Sequence, residues 1–202
     1  MEIFVLLLMV AAFGAYRLKS KTQAKRIALL ASHLGRYQVE KLMESLTDGY
    51  LRALGEKDPE RQRQIWNMLA TSEEQLVEQF RRFAADFSSV DVVDARVSKL
   101  PVFLPEADRF FPDNTFDMRQ ALSVHAQGIE RAAKNEQGRT PRDKAYTLSA
   151  ELFLMQHTCH WYCRSKTIAS ARMLARHQTP YLQLLKSVDP ETREAYLALI
   201  GR

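Results

Sequence analysis

Residues 3–16 read IFVLLLMVAAFGAY, an apolar run of 14 residues without a charged side chain. An α-helix of that length covers only ~21 Å, whereas the hydrocarbon core of a bilayer is ~30 Å thick. If residues 1–18 are helical and Arg17 extends toward the lipid headgroups, the segment reaches roughly 27 Å, which spans a slightly thinned bilayer. The sequence therefore predicts a single-pass membrane anchor over residues 1–18.

Two other interpretations of this run stay open: a cleaved secretory signal, and a buried or interfacial helix. A secretory signal carries its basic residues before the apolar run. Here the acidic Glu2 precedes the run, and five basic residues follow it within ten positions. A buried helix at the start of a domain would have no need of so dense a cationic flank. Both features favour the anchor.

The positive charge of the chain is concentrated beside the apolar run. The formal net charge is +5, yet residues 37–202 carry equal numbers of acidic and basic side chains. Residues 17–36 contain six basic residues and no acid. This distribution predicts contact with lipid headgroups and excludes a nucleic-acid binder, which needs a basic surface on its folded domain. The predicted lipid-facing residues are Arg17, Lys19, Lys21, Lys25 and Arg26.

The same charges predict the orientation of the anchor. An excess of Lys and Arg marks the cytoplasmic side of a membrane helix. We therefore expect the N-terminus outside and the folded domain in the cytoplasm, at the cell membrane, which in a bacterium is the inner membrane. The two cysteines of the chain cannot form a disulfide framework, which agrees with a reducing compartment.

Residues 19–202 are predicted to form one helix after another. Three positions combine a helix N-cap with Pro at the first helical position, namely Asp58-Pro59, Thr140-Pro141 and Asp189-Pro190. Between these starts, apolar residues recur at helical spacing, and no alternating strands are joined by a Gly-rich turn. We predict an all-α protein, with a basic juxtamembrane and amphipathic helix over 19–57 and a helical domain over 58–202. Residues 19–202 are expected to fold as one unit.

Finer boundaries rest on local signals. The stretch from Lys19 to Leu54 lacks Pro and is predicted as one helix, bent near Gly35. Thr71-x-x-Glu74 is a capping box, which predicts a helix break near residue 71. Residues 88–100 favour a short helix, although their β-branched side chains also suit a strand. The next helix is predicted to begin at Asn114 or Thr115.

A cluster of potential metal ligands lies on the predicted helix that follows Thr140. It comprises His157, Cys159, His160 and Cys163. At 100° per residue the last three share one helical face, with His157 at its edge. Thiolate and imidazole groups bind zinc, and both also serve as axial ligands of haem iron. Because the spacing matches neither a standard zinc motif nor haem attachment, buried packing is the favoured interpretation, and a zinc or haem site or a reactive thiol is the alternative.

Two further features of the sequence are candidates for a site. Residues 100–116 combine three prolines with large apolar side chains, as in a loop that covers a core or binds a partner. The predicted partner surface comprises Leu100, Val102, Phe103, Leu104, Phe110 and Phe111. Glu151 lies on the same apolar helix as the His/Cys cluster. It is either a buried general base with a raised pKa, or an acid that pairs with a basic residue or faces solvent.

The predicted function follows from the anchor and from the motifs that the sequence lacks. G-x-G-x-x-G, Walker A, G-x-S-x-G and H-E-x-x-H are all absent from it. We therefore predict a membrane-tethered scaffold or assembly subunit that contacts membrane lipid and binds partner proteins. One alternative is a membrane-anchored enzyme or electron carrier that uses the His/Cys cluster to hold metal or haem. Another is a switch in which residues 17–36 sense anionic lipid.

Overall fold

The computed structural model describes residues 2–100 and 111–201. Within these ranges the chain forms nine α-helices, one two-stranded sheet and a short 3-10 turn at Pro112–Asn114. The elements are α1 (Glu2–Leu34), α2 (Val39–Gly55), α3 (Pro59–Phe87), α4 (Val92–Ala95), β1 (Arg96–Ser98), β2 (Thr115–Asp117), α5 (Met118–Lys134), α6 (Pro141–Cys163), α7 (Lys166–His177), α8 (Tyr181–Ser187) and α9 (Pro190–Ile200). The predicted all-α class is confirmed.

α1 is a single helix of 33 residues, which corresponds to a rod about 50 Å long. Its large apolar side chains from Ile3 to Leu18 are 50–77% exposed, and the first buried side chain that the structure describes is Gln23. The most apolar 18-residue window of α1 has a mean hydropathy of 1.7. By length and composition, therefore, α1 can cross a membrane, and it continues as a helix well past the predicted end of the anchor at residue 18.

The three predicted helix starts that combine a cap with Pro are confirmed. The side chains of Asp58, Thr140 and Asp189 accept hydrogen bonds from backbone N–H groups two or three residues further on. In each case Pro occupies the first turn, where no intrahelical donor is needed. These starts were predictable because the cap and the turn it satisfies lie within four residues of each other.

The prediction of one helix from Lys19 to Leu54 is wrong in its continuity, but the bend predicted near Gly35 is confirmed, because the chain leaves helical geometry at residues 35–38. In this turn the backbone N–H of Tyr37 donates to the carbonyl oxygen of Leu34 at 3.0 Å, and its hydroxyl donates to Asp86 on α3. The turn lets α2 fold back against α3. A contact with a distant helix thus sets the break.

The predicted break near residue 71 is also wrong, since α3 is continuous over 29 residues. The buried stripe of α3 runs through this point without interruption, and its members are Leu69, Leu76, Phe80, Phe83 and Phe87. A capping box marks a helix start only where the preceding turn is not already helical. Burial of one stripe on both sides of Thr71 keeps α3 intact.

Residues 88–100 contain both of the structures that the sequence suggested. The four residues of α4 form a short helix, and β1 follows it directly as an extended segment. β1 pairs antiparallel with β2, and the pair Val97–Phe116 is buried. The helix predicted to begin at Asn114 or Thr115 therefore begins three or four residues later, where Asp117 caps α5 by accepting from the N–H of Arg119 at 2.8 Å.

One hydrophobic core joins all nine helices of the described chain. It includes Leu30 of α1, Leu46 of α2 and Tyr196 of α9, so side chains on both sides of the predicted boundary at residues 57 and 58 share it. A chain of ring contacts runs through its centre from Phe83 to Phe87 and on to Tyr162, with centroids 6.0 Å apart at each step.

The second half of α1 is fixed to the domain by polar contacts. Arg26 donates to the carbonyl oxygen of Arg96 at 2.8 Å, and its guanidinium lies 5.4 Å from the centre of the Tyr162 ring. Gln23 accepts a hydrogen bond of 2.6 Å from Arg164. Lys25 forms an ion pair with Asp94 at 2.5 Å.

Because Arg26 satisfies a carbonyl group and covers an aromatic ring, we expect Arg26→Ala to weaken the attachment of α1. The expected loss is about 1–3 kcal/mol of unfolding free energy, the usual cost of removing a charged hydrogen-bond partner. Lys21→Ala, at an exposed position five residues earlier, is the control and should change stability by less than about 0.5 kcal/mol. Urea unfolding of the full chain in a mild detergent measures both. Equal stability of the two variants would contradict the role of Arg26.

Candidate functional site

The predicted metal ligands do not converge on one point. Cys159, His160 and Cys163 line a cavity between α1, α2 and α6. His157 faces a different part of the domain, where its ring stacks on that of Tyr181 with centroids 4.4 Å apart. Its Nε2 atom lies 3.0 Å from the hydroxyl of Ser170. Within residues 2–100 and 111–201, no three His, Cys, Asp or Glu side chains form a group that could hold a metal ion.

Burial controls the protonation of this cluster. It raises the pKa of Cys163 to about 11 and raises that of Cys159 further above the ordinary thiol value. Burial, with the nearby charges of Arg172 and Arg176, lowers the pKa of His160 to about 4. At neutral pH both free thiols are therefore protonated, which makes them poor nucleophiles, since the thiolate is the reactive form. This geometry favours packing, and it gives the zinc, haem and reactive-thiol alternatives no support.

The cavity beside Cys163 is one end of a longer groove, which we call the α2 groove. Three adjoining cavities of about 290, 360 and 630 Å³ form it. Met43 and Gln156 line both the first and the second, while Thr47 and Phe153 line both the second and the third. The groove follows α6 from its C-terminal to its N-terminal end, a distance of roughly 27 Å along that helix.

The floor of the α2 groove is mainly apolar at its two ends and mixed in the middle, where Gln156 and His177 line it beside Phe153. It is formed chiefly by Met155, Cys159 and Phe153 of α6, with Leu30 of α1 and Met43 of α2 at one end. The imidazole of His177 stacks on Phe153, with ring centroids 3.9 Å apart. The last and largest cavity has no Asp, Glu, Lys or Arg in its lining, and the half-exposed ring of Tyr146 borders it.

The two walls of the α2 groove carry opposite charge. Glu40, Glu44 and Asp48 succeed one another at four-residue spacing on α2, and all three are exposed. Arg172 and Arg176 have the same spacing on α7 and are also exposed. Four-residue spacing places side chains on one face of a helix. Along its first two cavities, therefore, the groove has an acidic wall on α2 and a basic wall on α7, and the third cavity lies beyond both walls.

These charges do not neutralise each other across the groove. In the part of the chain that the structure describes, none of the five wall residues has an ion pair within 4.0 Å. An apolar floor between two unneutralised charged walls suits a ligand that is itself apolar on one face and charged on its flanks.

Sequence reasoning did not single out the wall residues, although part of the signal was there. The spacing of Glu40, Glu44 and Asp48 can be read from the sequence, as can that of Arg172 and Arg176. Nothing in the sequence shows that α2 and α7 face the same groove, because 110 residues lie between the end of α2 and the start of α7.

The predicted lipid-facing residues divide into two groups. Arg17, Lys19 and Lys21 lie on the part of α1 that precedes the domain, with Arg17 6.0 Å from the ring centre of Phe13. Lys25 and Arg26 instead contact the domain, through the ion pair and hydrogen bonds given above. Lipid contact stays a prediction for all five residues, although Lys25 and Arg26 already have partners in the domain.

The predicted partner surface at residues 100–111 falls largely outside the described residues, which exclude Val102, Phe103, Leu104 and Phe110. Of the two that are described, Leu100 is half-buried and Phe111 is 45% exposed. This surface stays a prediction.

Glu151 lies in a buried polar cluster between α5, α6 and α9. Its Oε1 atom accepts the backbone N–H of Asp189 at 2.9 Å, and its side chain is completely buried. Burial raises the pKa of Glu151 to about 7, against the lowering effects of hydrogen bonds from Asp189 and Thr192 and of the charge of Arg131. Gly128 leaves no space beside the carboxylate, since a Cβ atom there would overlap both Glu151 and Thr192. A substrate therefore cannot reach this acid, and its role is to join α6 to the start of α9.

Comparison of the chain with protein-family models, with curated proteins and with solved structures found no match. The class of protein is therefore described from its fold alone. It is a helical domain that continues without interruption from a helix able to span a membrane.

The raised pKa of Glu151 predicts a pH dependence of stability. Between about pH 4.5, the ordinary value, and about pH 7 the folded chain holds a proton that the unfolded chain releases. The contribution of Glu151 is therefore fully present below pH 4.5 and is lost as the pH rises through 7. Relative to wild type, we expect Glu151→Gln to gain about 3 kcal/mol of stability between pH 4.5 and pH 8.

Urea unfolding of the full chain at several pH values measures this gain. The same change at the exposed Glu194 of α9 is the control. A difference between Glu151→Gln and wild type that is constant with pH would contradict a buried, titrating Glu151.

Proposed function

We propose that the protein is a membrane-tethered helical scaffold or assembly subunit, which binds partner proteins at the cytoplasmic face of a membrane. The observation that carries this proposal is the exposure of α1. Every large apolar side chain from Ile3 to Leu18 is at least half exposed, although the helix is continuous with the folded domain. Soluble monomers rarely expose so large an apolar surface, so a bilayer is the environment that it fits.

The direction of the tether is proposed from the basic residues that follow it. Arg17, Lys19 and Lys21 precede the domain, and none of them has an ion pair with residues 2–100 or 111–201. Under the rule that Lys and Arg remain on the cytoplasmic side, they support an outside N-terminus and a cytoplasmic domain. They would also meet anionic headgroups at the membrane surface.

Partner binding is proposed from the α2 groove. Its apolar floor and charged walls have the composition of a recognition surface, with aromatic side chains such as Phe153 and Tyr146 near its larger end. The buried Glu151 and the protonated thiols, by contrast, offer no accessible catalytic group. Binding is therefore the activity that the site supports best.

We expect the double variant Leu7→Arg, Leu8→Arg to release the protein from the membrane fraction. Each Arg at the centre of a spanning helix costs about 2.5–3.5 kcal/mol on insertion scales. The matched control, Met68→Arg with Leu182→Arg, adds the same charge at equally exposed apolar positions of the domain and should leave the protein in the membrane. Membrane fractionation after alkaline carbonate extraction measures both. Retention of the Leu7, Leu8 variant would contradict the anchor.

Orientation and partner binding are tested separately. A C-terminal reporter that works only in the cytoplasm should be active, and activity of a reporter that works only outside would overturn the topology. The tagged full chain, extracted in mild detergent, should bring down a fixed set of proteins in constant ratio. A lone, monodisperse protein would contradict the scaffold proposal.

A further inference from the structure

The α2 groove has the dimensions of a helix-binding site. Its lining on α2 runs from Val39 to Leu54, and its lining on α6 from Ala145 to Cys163. These spans correspond to roughly 22 and 27 Å, the length of a helix of about 15–18 residues. A guest helix of four to five turns could therefore lie along the floor over its whole length.

The walls specify the charges of such a helix. Glu40, Glu44 and Asp48 on α2 call for basic side chains along one flank of the guest, and Arg172 and Arg176 on α7 call for acidic side chains along the other. The apolar floor around Met155 calls for an apolar face between the two flanks. Charged side chains that border an apolar seam set partner choice in the same way in coiled coils.

We propose that the α2 groove binds an amphipathic helix of a partner protein, with Lys or Arg along the flank that faces α2 and Asp or Glu along the flank that faces α7. This inference rests on the proposed partner-binding function and names the chemistry of the partner. The charge pattern also fixes the direction of the guest helix, because turning it end to end with the apolar face down exchanges its two flanks. An acyl chain would fill the floor and leave both walls unneutralised, so a lipid fits the groove less well.

The charge requirement is tested with two 18-residue helical peptides of identical composition and zero net charge. Both carry Leu along one face; the segregated peptide has Lys on one flank and Glu on the other, and the mixed peptide alternates them on both flanks. A peptide with its flanks simply exchanged is no control, since it could bind in the opposite direction. Binding is measured by fluorescence anisotropy to the full chain in phosphatidylcholine nanodiscs, with empty nanodiscs subtracted.

For wild type we expect the segregated peptide to bind roughly tenfold more tightly than the mixed one, from several exposed ion pairs of a few tenths of a kcal/mol each. The preference should shrink as salt is raised from 20 to about 500 mM, because exposed charges are screened. Equal affinity of the two peptides for wild type would overturn the proposal.

A wall variant makes the test specific to the groove. Glu40→Lys with Glu44→Lys and Asp48→Lys makes both walls basic, so the ratio of the two affinities should fall to about one. The matched control reverses three exposed acids outside the groove, Glu74, Asp113 and Glu194, and should keep the wild-type ratio. A preference that survives in the wall variant, or is lost in the control, would overturn the proposal. So would self-association or bound lipid in native mass spectrometry, if neither peptide binds.

The proposed function and the groove can fail independently. Native proteins that co-purify equally with wild type and with the wall variant would leave the scaffold proposal standing and refute the groove as its binding site. Discrimination between the peptides without any co-purifying protein would refute the scaffold proposal and retain the charge specificity of the groove.

Discussion

The structure depends on the contacts that attach the second half of α1 to the domain, which are made by Gln23, Lys25 and Arg26. The first half of α1 exposes an apolar surface that water disfavours by ~25 cal/mol per Å², and this part of the helix takes no part in the core. Arg26 attaches the second half of α1 to the domain, by donating to a carbonyl oxygen of β1 and covering the Tyr162 ring. Without this contact the apolar segment would be an appendage. With this contact, the second half of α1 is part of the domain, while the first half of the same helix exposes its apolar surface outside the domain.

Local signals in the sequence predicted the class of the fold and several helix starts, and long-range contacts decided the rest. Asp58, Thr140 and Asp189 cap helices through bonds that close within a few residues. The packing of the turn at residues 35–38 on α3, by contrast, brings together Tyr37 and Asp86, which are 49 residues apart, and the β1–β2 pair joins segments 19 residues apart. No periodicity in one segment contains that information. The candidate site shows the same division. The four-residue spacing of charges on α2 and on α7 can be seen in the sequence, but only the tertiary structure shows that the two rows of charges line one groove.

The polar interior of the domain serves packing and alignment. Glu151 accepts one hydrogen bond from the start of α9, through Oε1, and Gly128 brings α5 close enough to enclose its carboxyl group. Beside it, Thr158 lies 2.9 Å from His125 and 3.0 Å from Tyr196. Polar groups of this kind are costly to bury, and a conformation in which they lack their hydrogen-bond partners is strongly destabilised. They therefore position the C-terminal helix, and through α6 they support the floor of the groove.

Because α1 is one unbroken helix, the height of the domain above the membrane and its rotation about the axis of α1 are linked. Ile27, where α1 first lines the groove, lies about 13 Å along the helix beyond Leu18, so under the proposed anchoring the groove stands at a set height above the lipid. A flexible linker would let the groove point in any direction about the axis of the anchor, whereas a rigid helix fixes one direction. Each residue added between Leu18 and Gln23 would lift the domain by only ~1.5 Å while turning it by ~100° about the helix axis. The rotation that each residue adds, more than the length that it adds, thus decides in which direction the groove faces relative to the membrane-spanning part of α1.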